Sequence, residues 1–323
     1  MWIYYSLTFF GLLLLELVYF QWARKNGVID RPNERSSHFD PTIRGGGIIF
    51  PLAVLIWFVY SGFSWPWFVG GLVLVTIISF MDDIKPRTAI VRLIFHSIAI
   101  WLLFYQVSFF DWAWWLVLLA WIVSIGALSA FNFMDGINGI TGFYALVCLG
   151  TCYYIQKYVV TFTNESFIGT LGLSVVVFFL FNFRKRARCF AGDVGSVTIA
   201  FAQLFLMMAL IQHTGSLLWV LLFLVYGIDA VVTIFHRLIR NENIFKPHRS
   251  HLYQHLTNEL GYDHRLVAMF YGVAQLLMNI VLIMGFQDQV VLVPIGFSVL
   301  YLIFYLYIRH RIVAHILNLN TAN

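Results

Sequence analysis

Eleven apolar runs separated by short polar stretches constrain this 323-residue chain more than any other feature. They cover roughly 1–22, 46–63, 65–80, 90–108, 112–131, 139–160, 167–183, 196–212, 216–236, 266–285 and 290–308. A bilayer core takes about 20 apolar residues of helix to cross. Composition agrees, with 61% of residues apolar and 11% charged, where a soluble domain carries about a quarter charged residues. Soluble globular and disordered classes are thereby excluded. The expected fold is an all-α polytopic membrane protein of about eleven transmembrane helices, read as one domain over 1–323. The first run has no basic stretch before it and no small-residue cleavage site after it, so it reads as a retained helix.

Basic residues set the expected orientation, because Lys and Arg in short loops stay cytoplasmic. With the N-terminus outside and the C-terminus cytoplasmic, 19 of the 20 Lys and Arg residues fall on one face and Lys157 alone on the other. Ten acidic residues share the basic face, and only Asp111, Glu165 and Asp288 lie opposite. Polar chemistry is therefore expected in five cytoplasmic loops, about 23–45, 81–90, 132–139, 184–195 and 237–265. Glu16 and Asp229 fall inside runs. Asp229 is read as support for His236 and Arg237 two turns on, and Glu16 as facing either the bundle interior or an oligomer interface. Cys148 and Cys152 share a helical face and Cys189 sits in a loop, with no spacing for zinc or a disulfide framework.

Each loop holds residues with a functional and a plainer reading. In 23–45, Gly45 to Gly47 beside Arg44, with Arg35 and His38 nearby, make either an anion-binding turn with exposed N–H groups or a flexible re-entry. The adjacent Asp82 and Asp83 repel each other at a membrane boundary, which favours a functional pair over a solvated one held by Lys85 and Arg87. Asn132 and Asp135, at i and i+3, would aim oxygen ligands at one point if helical, and otherwise form a turn. The segment Gly192-Asp193-Val194-Gly195-Ser196 opens a membrane helix whose N-terminus suits phosphate. Phe190, expected to be exposed before it, would stack on a base or simply pack. His248, Arg249, His251 and His255, with Lys246, read better as a phosphate clamp than as a transition-metal site, with a solvated basic loop as the alternative. Asp82, Asp83, Asn132, Asp135 and Asp193 together are the hard oxygen donors that Mg²⁺ prefers, which points to a phosphate-bearing substrate at the bilayer edge.

These motifs also resemble a family. Arg35-Ser-Ser-His38 with Pro41-Thr-Ile-Arg-Gly-Gly-Gly47, the Asp82-Asp83 pair, Asn132-Phe-Met-Asp-Gly-Ile-Asn-Gly139, Phe190-Ala-Gly-Asp-Val-Gly-Ser196 and His248-Arg-Ser-His251 are similar, in order, to five loop motifs. The motifs are those of the polyprenyl-phosphate N-acetylhexosamine-1-phosphate transferases, glycosyltransferase family 4. The likeness is nearer the WecA/WbpL-like branch, which starts O-antigen and related polysaccharides, than the MraY branch of peptidoglycan synthesis. It implies transfer of a sugar 1-phosphate from a UDP-N-acetylhexosamine to undecaprenyl phosphate with release of UMP, at the cytoplasmic face of the bacterial inner membrane. It implies Mg²⁺, with Mn²⁺ as a substitute, on Asp193 and Asn132, and catalytic acids Asp82 and Asp83 serving the acceptor phosphate. Substrate contacts fall to Arg35, His38, Arg44, Asp135, Phe190, Arg188, His248, Arg249 and His251. The implied partners are the two substrates and the lipid bilayer; a homodimer is allowed and nucleic acid is not expected.

Departures concern Asn138 and Ser129, where the family often has an acid and an Asn, and loop 237–265, where Leu252, Tyr253 and Gln254 follow His251. The rival classes are a transporter, which would place its polar site near the midplane with inverted repeats, and a lipid-binding scaffold, which would need no acid pair. Neither pattern is present. Bringing two phosphates together is costly, about 4 kcal/mol per unit-charge pair at 4 Å in an effective dielectric of 20. Charge-neutralising groups should therefore outrank proton transfer. Asp193→Asn is expected to cost more activity than any single His substitution in 237–265; equal losses in a membrane transferase assay would count against this ranking.

Overall fold

The computed structural model describes residues 1–32, 40–243 and 248–322, with side chains described as far as 316. Arg35, His38 and Lys246 fall outside the described residues. The apolar runs form α1 (Trp2–Asn26), α2 (Ile49–Tyr60), α3 (Pro66–Ile84), α4 (Ala89–Gln106), α5 (Trp114–Met134), α6 (Ile140–Tyr158), α7 (Glu165–Asn182), α8 (Gly192–Thr214), α9 (Leu224–Ile239), α11 (His264–Gln287) and α12 (Leu292–Ala322). The short α10 (Leu252–Gln254) lies between α9 and α11.

Nine helices among the described residues are long and apolar enough to cross a membrane. Of the remaining two, the stretch Gly46–Tyr60 containing α2 is shorter, and α6 is less apolar, burying Thr141, Thr151 and Gln156. The chain is a multi-pass, all-α membrane protein. Its strands, among the described residues, are two-residue pieces: β1 (Ile29–Asp30) pairs antiparallel with β2 (Thr42–Ile43), Ile29 opposite Ile43. α12 continues well past the expected end at 308 and brings Arg309 to 3.1 Å from Thr233 Oγ1 of α9.

The core forms around α8, of whose most apolar stretch 94% is buried. It packs against α2, α3, α5 and α6, while α7 fills the space between α1, α2 and α6. A helix apolar on all sides is stable only when enclosed in this way. α9 is preceded by a 3₁₀ segment, Leu217–Phe223, and the change of helix type frees backbone groups where no water can satisfy them. Gln275 of α11 takes them up: Nε2 donates to the Leu221 carbonyl at 2.9 Å and Oε1 accepts from the Val225 N–H at 3.0 Å. Tyr144 donates to the same Oε1 at 2.6 Å, and Asn279 and Thr151 extend the chain of bonds.

Gly45 makes the expected turn, with φ at 78°, but the N–H groups of the two glycines after it are taken by protein. The Gly46 N–H donates to the Phe190 carbonyl at 2.8 Å and the Gly47 N–H to the Ala191 carbonyl at 3.1 Å, while the Phe190 N–H donates to Ile43 at 2.8 Å. This segment is stitched to the start of α8. A Cβ on Gly47 would stand 2.2 Å from the Gly195 Cα, and one on Gly46 would stand 2.7 Å from the Cys189 sulfur. Close backbone approach is what demands glycine there. Gly47→Ala is expected to destabilise the fold by about 1–3 kcal/mol, the usual cost of overpacking; an unchanged unfolding temperature in detergent would contradict the close contact.

Candidate active site

The ends of α3, α4, α5 and α8 meet the segment 40–47 at one end of the bundle. Asp82 and Asp83 close α3, and successive helical residues point in different directions, so the pair divides its work. Asp83 Oδ1 accepts from the Asp193 N–H at 2.9 Å and Oδ2 from the Val194 N–H at 2.9 Å. Arg44 Nε donates to Asp83 Oδ1 at 2.7 Å. The helix N-terminus that the sequence offered to a substrate phosphate therefore already holds an anion, the protein's own carboxylate. Asp82 turns the other way, accepting from the Arg87 N–H and lying 3.2 Å from Arg92 Nη1.

Asp193 completes the group. Its Oδ1 lies 3.4 Å from Arg44 Nη2 and its Oδ2 3.7 Å from Arg92 Nη1. Three carboxylates thus share two guanidiniums, leaving a residual negative charge. Asp193 is the most open of the three, its side chain 17% exposed against 9% for Asp82 and none for Asp83. Burial opposes the Arg44 charge, but Asp83 and Asp193 outweigh it and hold the guanidinium above its ordinary value. No local pattern in the sequence links Arg92 to acids ten residues back and about a hundred residues ahead.

The loop after α5 corrects another expectation. α5 ends at Met134, so Asn132 and Asp135 do not aim at one point. Asn132 Nδ2 donates to Ser196 Oγ at 3.1 Å, and the same amide hydrogen-bonds the Asp193 carboxylate. Asp135 instead accepts from Thr141 Oγ1, and burial, with Asp193 and Asp83 nearby, pushes its carboxyl up to about 8. Asn138 ties two loops together, donating to the Arg184 and Lys185 carbonyls at 3.0 and 3.3 Å. Gly139 N–H donates to Asn182 Oδ1, whose Nδ2 donates to the Cys189 carbonyl.

Other expected residues lie around this group. Arg188 is exposed, but Phe190 is half-buried rather than exposed, held by backbone bonds on both its N–H and its carbonyl. Glu16 faces the bundle interior, where Cys189 donates to it at 3.7 Å; burial and that carboxyl push the thiol up. Arg249 lies 3.6 Å from Glu259. Burial, with His251 and Arg237 nearby, pushes His248 down to about 4, so it is a neutral ring at pH 7. Asp229 does not support His236 or Arg237. It accepts from His251 Nδ1 at 2.9 Å, while Arg237 pairs with Glu242 at 3.0 Å.

The donor set suits a hard cation in kind. No three His, Cys, Asp or Glu side chains among the described residues form a ready metal cluster. Asp193, the most open of the three carboxylates, offers an oxygen donor beside the Asn132 amide, which suits a cation that keeps several waters.

Comparison with known proteins adds an independent line. A profile described as glycosyl transferase family 4 matches residues 65–211, a stretch that includes Asp82, Asp83, Asn132, Asp135 and Asp193. The undecaprenyl-phosphate α-N-acetylglucosaminyl 1-phosphate transferase of Yersinia pestis is 23% identical over 288 residues, covering 81% of this chain and 78% of that protein. A probable undecaprenyl-phosphate N-acetylglucosaminyl 1-phosphate transferase of Bacillus subtilis is 23% identical over 270 residues, 76% and 73%. The phospho-N-acetylmuramoyl-pentapeptide-transferase of Dictyoglomus turgidum is 26% identical over 299 residues, 84% and 94%.

The division of labour between the two adjacent acids is measurable. Asp83→Ala should strip the start of α8 of its cap and leave Arg44 only its longer contact with Asp193, destabilising by about 3 kcal/mol or more. Asp82→Ala, whose partners are more exposed, should cost less stability. Equal drops in unfolding temperature would overturn the assignment of Asp83 as the cap.

Proposed function

We propose that the chain, whose residues 65–211 match the glycosyl transferase family 4 profile, moves N-acetylhexosamine 1-phosphate, or a related amino-sugar phosphate, from a UDP-sugar to undecaprenyl phosphate. The reading extends to the initiating step of O-antigen or another cell-envelope polysaccharide, on the cytoplasmic side of the bacterial inner membrane. The observation that carries it is the cluster of Asp82, Asp83 and Asp193 around Arg44 and Arg92 at one end of a membrane bundle.

The reaction joins a phosphate oxygen of the lipid to the sugar-bearing phosphorus of the donor. The bond from that phosphorus to the bridging oxygen breaks, and UMP leaves with it. Both reactants are anions, and the lipid phosphate, with a second pKa near 6, is largely dianionic at pH 7. Arg44 and Arg92 offset the carboxylates where the two meet, and Asp83 keeps Arg44 in register with the start of α8. Asp82, held by Arg92 and the Arg87 N–H, stands at the acceptor side of the cluster in this reading. Asp193 and Asn132 would hold Mg²⁺, or Mn²⁺ in its stead, which when bound supplies charge neutralisation on the diphosphate. Asp135, kept protonated by burial near neutral pH, offers a hydrogen-bond donor to the nucleotide rather than a second negative charge.

The likeness to the muramoyl-pentapeptide transferase makes that larger donor the second reading. Purified protein given undecaprenyl phosphate, Mg²⁺ and a panel of UDP-sugars that includes UDP-N-acetylmuramoyl-pentapeptide should release UMP with one of the amino sugars. Release with the pentapeptide donor alone would support the second reading, and no UMP with any donor would refute both.

A further inference from the structure

Asp229 is fully buried in α9, and the proposed transfer gives it no task. A carboxylate in a membrane-spanning helix is costly unless it serves something. Four groups from three separate parts of the chain converge on it. Its Oδ1 takes bonds from His251 Nδ1 at 2.9 Å, Thr233 Oγ1 at 3.2 Å and the Leu252 N–H at 3.4 Å. Tyr271 of α11 donates to its Oδ2. Arg309 of α12 closes the arrangement, donating to Thr233 Oγ1 at 3.1 Å and to the Ser250 carbonyl at 2.8 Å, next to His251.

The histidine so held is only half satisfied. His251 is 1% exposed, and its Nε2 has no hydrogen-bond partner among the described residues. A histidine kept for packing would bond both nitrogens, because a buried unpaired polar atom is destabilising. The ring lies between His248, with centroids 4.9 Å apart, and Tyr253 at 5.7 Å, with Phe133 at 6.2 Å. Phe133 belongs to the segment that bears Asn132 and Asp135, and Tyr253 donates to the Phe133 carbonyl at 2.8 Å. The unsatisfied nitrogen therefore belongs to a ring in the wall beside the candidate active site.

We infer that Asp229 is a positioning residue for His251: it fixes the imidazole with Nδ1 protonated, so that Nε2 is the atom presented to a phosphate oxygen of the nucleotide-sugar donor. The inference rests on the transfer reading above. A phosphate oxygen only accepts, so the contact needs a proton on Nε2 as well as on Nδ1. Tyr271, Thr233 and Arg309 keep the carboxylate and residues 250–252 in register.

A double-mutant cycle tests this. With UDP-N-acetylglucosamine and undecaprenyl phosphate as substrates, Asp229→Asn should lower kcat/KM for the donor by about ten- to a hundredfold, the range of a charge-assisted hydrogen bond. The KM for the lipid should not move. In a His251→Gln background the same change should have no further effect, and Tyr271→Phe should behave as a weaker copy of Asp229→Asn. Losses that multiply in the double variant, or that fall equally on both substrates, would overturn the inference. The pairing is also read without activity, from ¹⁵N spectra of histidine-labelled protein in detergent. The wild type should show a ring protonated at Nδ1 that vanishes in His251→Gln and shifts in Asp229→Asn. An unmoved signal would overturn the pairing, whereas wild-type protein that releases no UMP but shows the shift would refute the transfer reading alone.

Discussion

A helix buried along nearly its whole length must still satisfy the unpaired amides at its N-terminus. In this chain Asp83 does so for α8, accepting from the amides of Asp193 and Val194. Much of the site follows from that contact. It docks the end of α3 on the start of α8, draws Arg44 onto the same carboxylate, and turns Asp193 outward toward Arg92. The segment before α2 is brought against α8 so closely that only glycine fits at positions 46 and 47.

The second organising constraint is charge balance in a region of low dielectric. Three carboxylates stand against two guanidiniums, drawn from α3, α4, α8 and the segment before α2. Such an arrangement holds itself together while leaving room for one more positive charge, which suits chemistry in which a cation and a phosphate arrive together. Asp229, His251 and Arg309 form a separate polar unit, in which His251 and Tyr271 donate to the carboxylate and Arg309 to Thr233 beside it.

Much of this was legible in the residues. The apolar runs predict the helices, because a chain in lipid can only satisfy its backbone within helices or closed barrels. The concentration of acids and bases in a few loops singled out Asp82, Asp83, Asn132 and Asp193 before any geometry. The misreadings have a common cause. Gly45 to Gly47 looked like an anion cradle, Asn132 and Asp135 looked like a pair, and Asp229 looked like support for His236. Each reading used neighbours along the chain. The actual partners are Phe190 and Ala191, Ser196 and Thr141, and His251, which depend on how helices pack.

Sequence by itself determined that the protein is a multi-pass helical membrane protein with scarce polar residues gathered in a few loops. That follows from local properties: the length of apolar runs and the cost of charge in lipid. Only the tertiary structure decided which acid caps a helix, which arginine is shared, and which histidine nitrogen is left for a ligand. Those outcomes depend on contacts between residues as far apart as Arg44 and Asp193 or Thr233 and Arg309, and no local pattern encodes the direction in which a side chain meets a helix end from elsewhere in the chain.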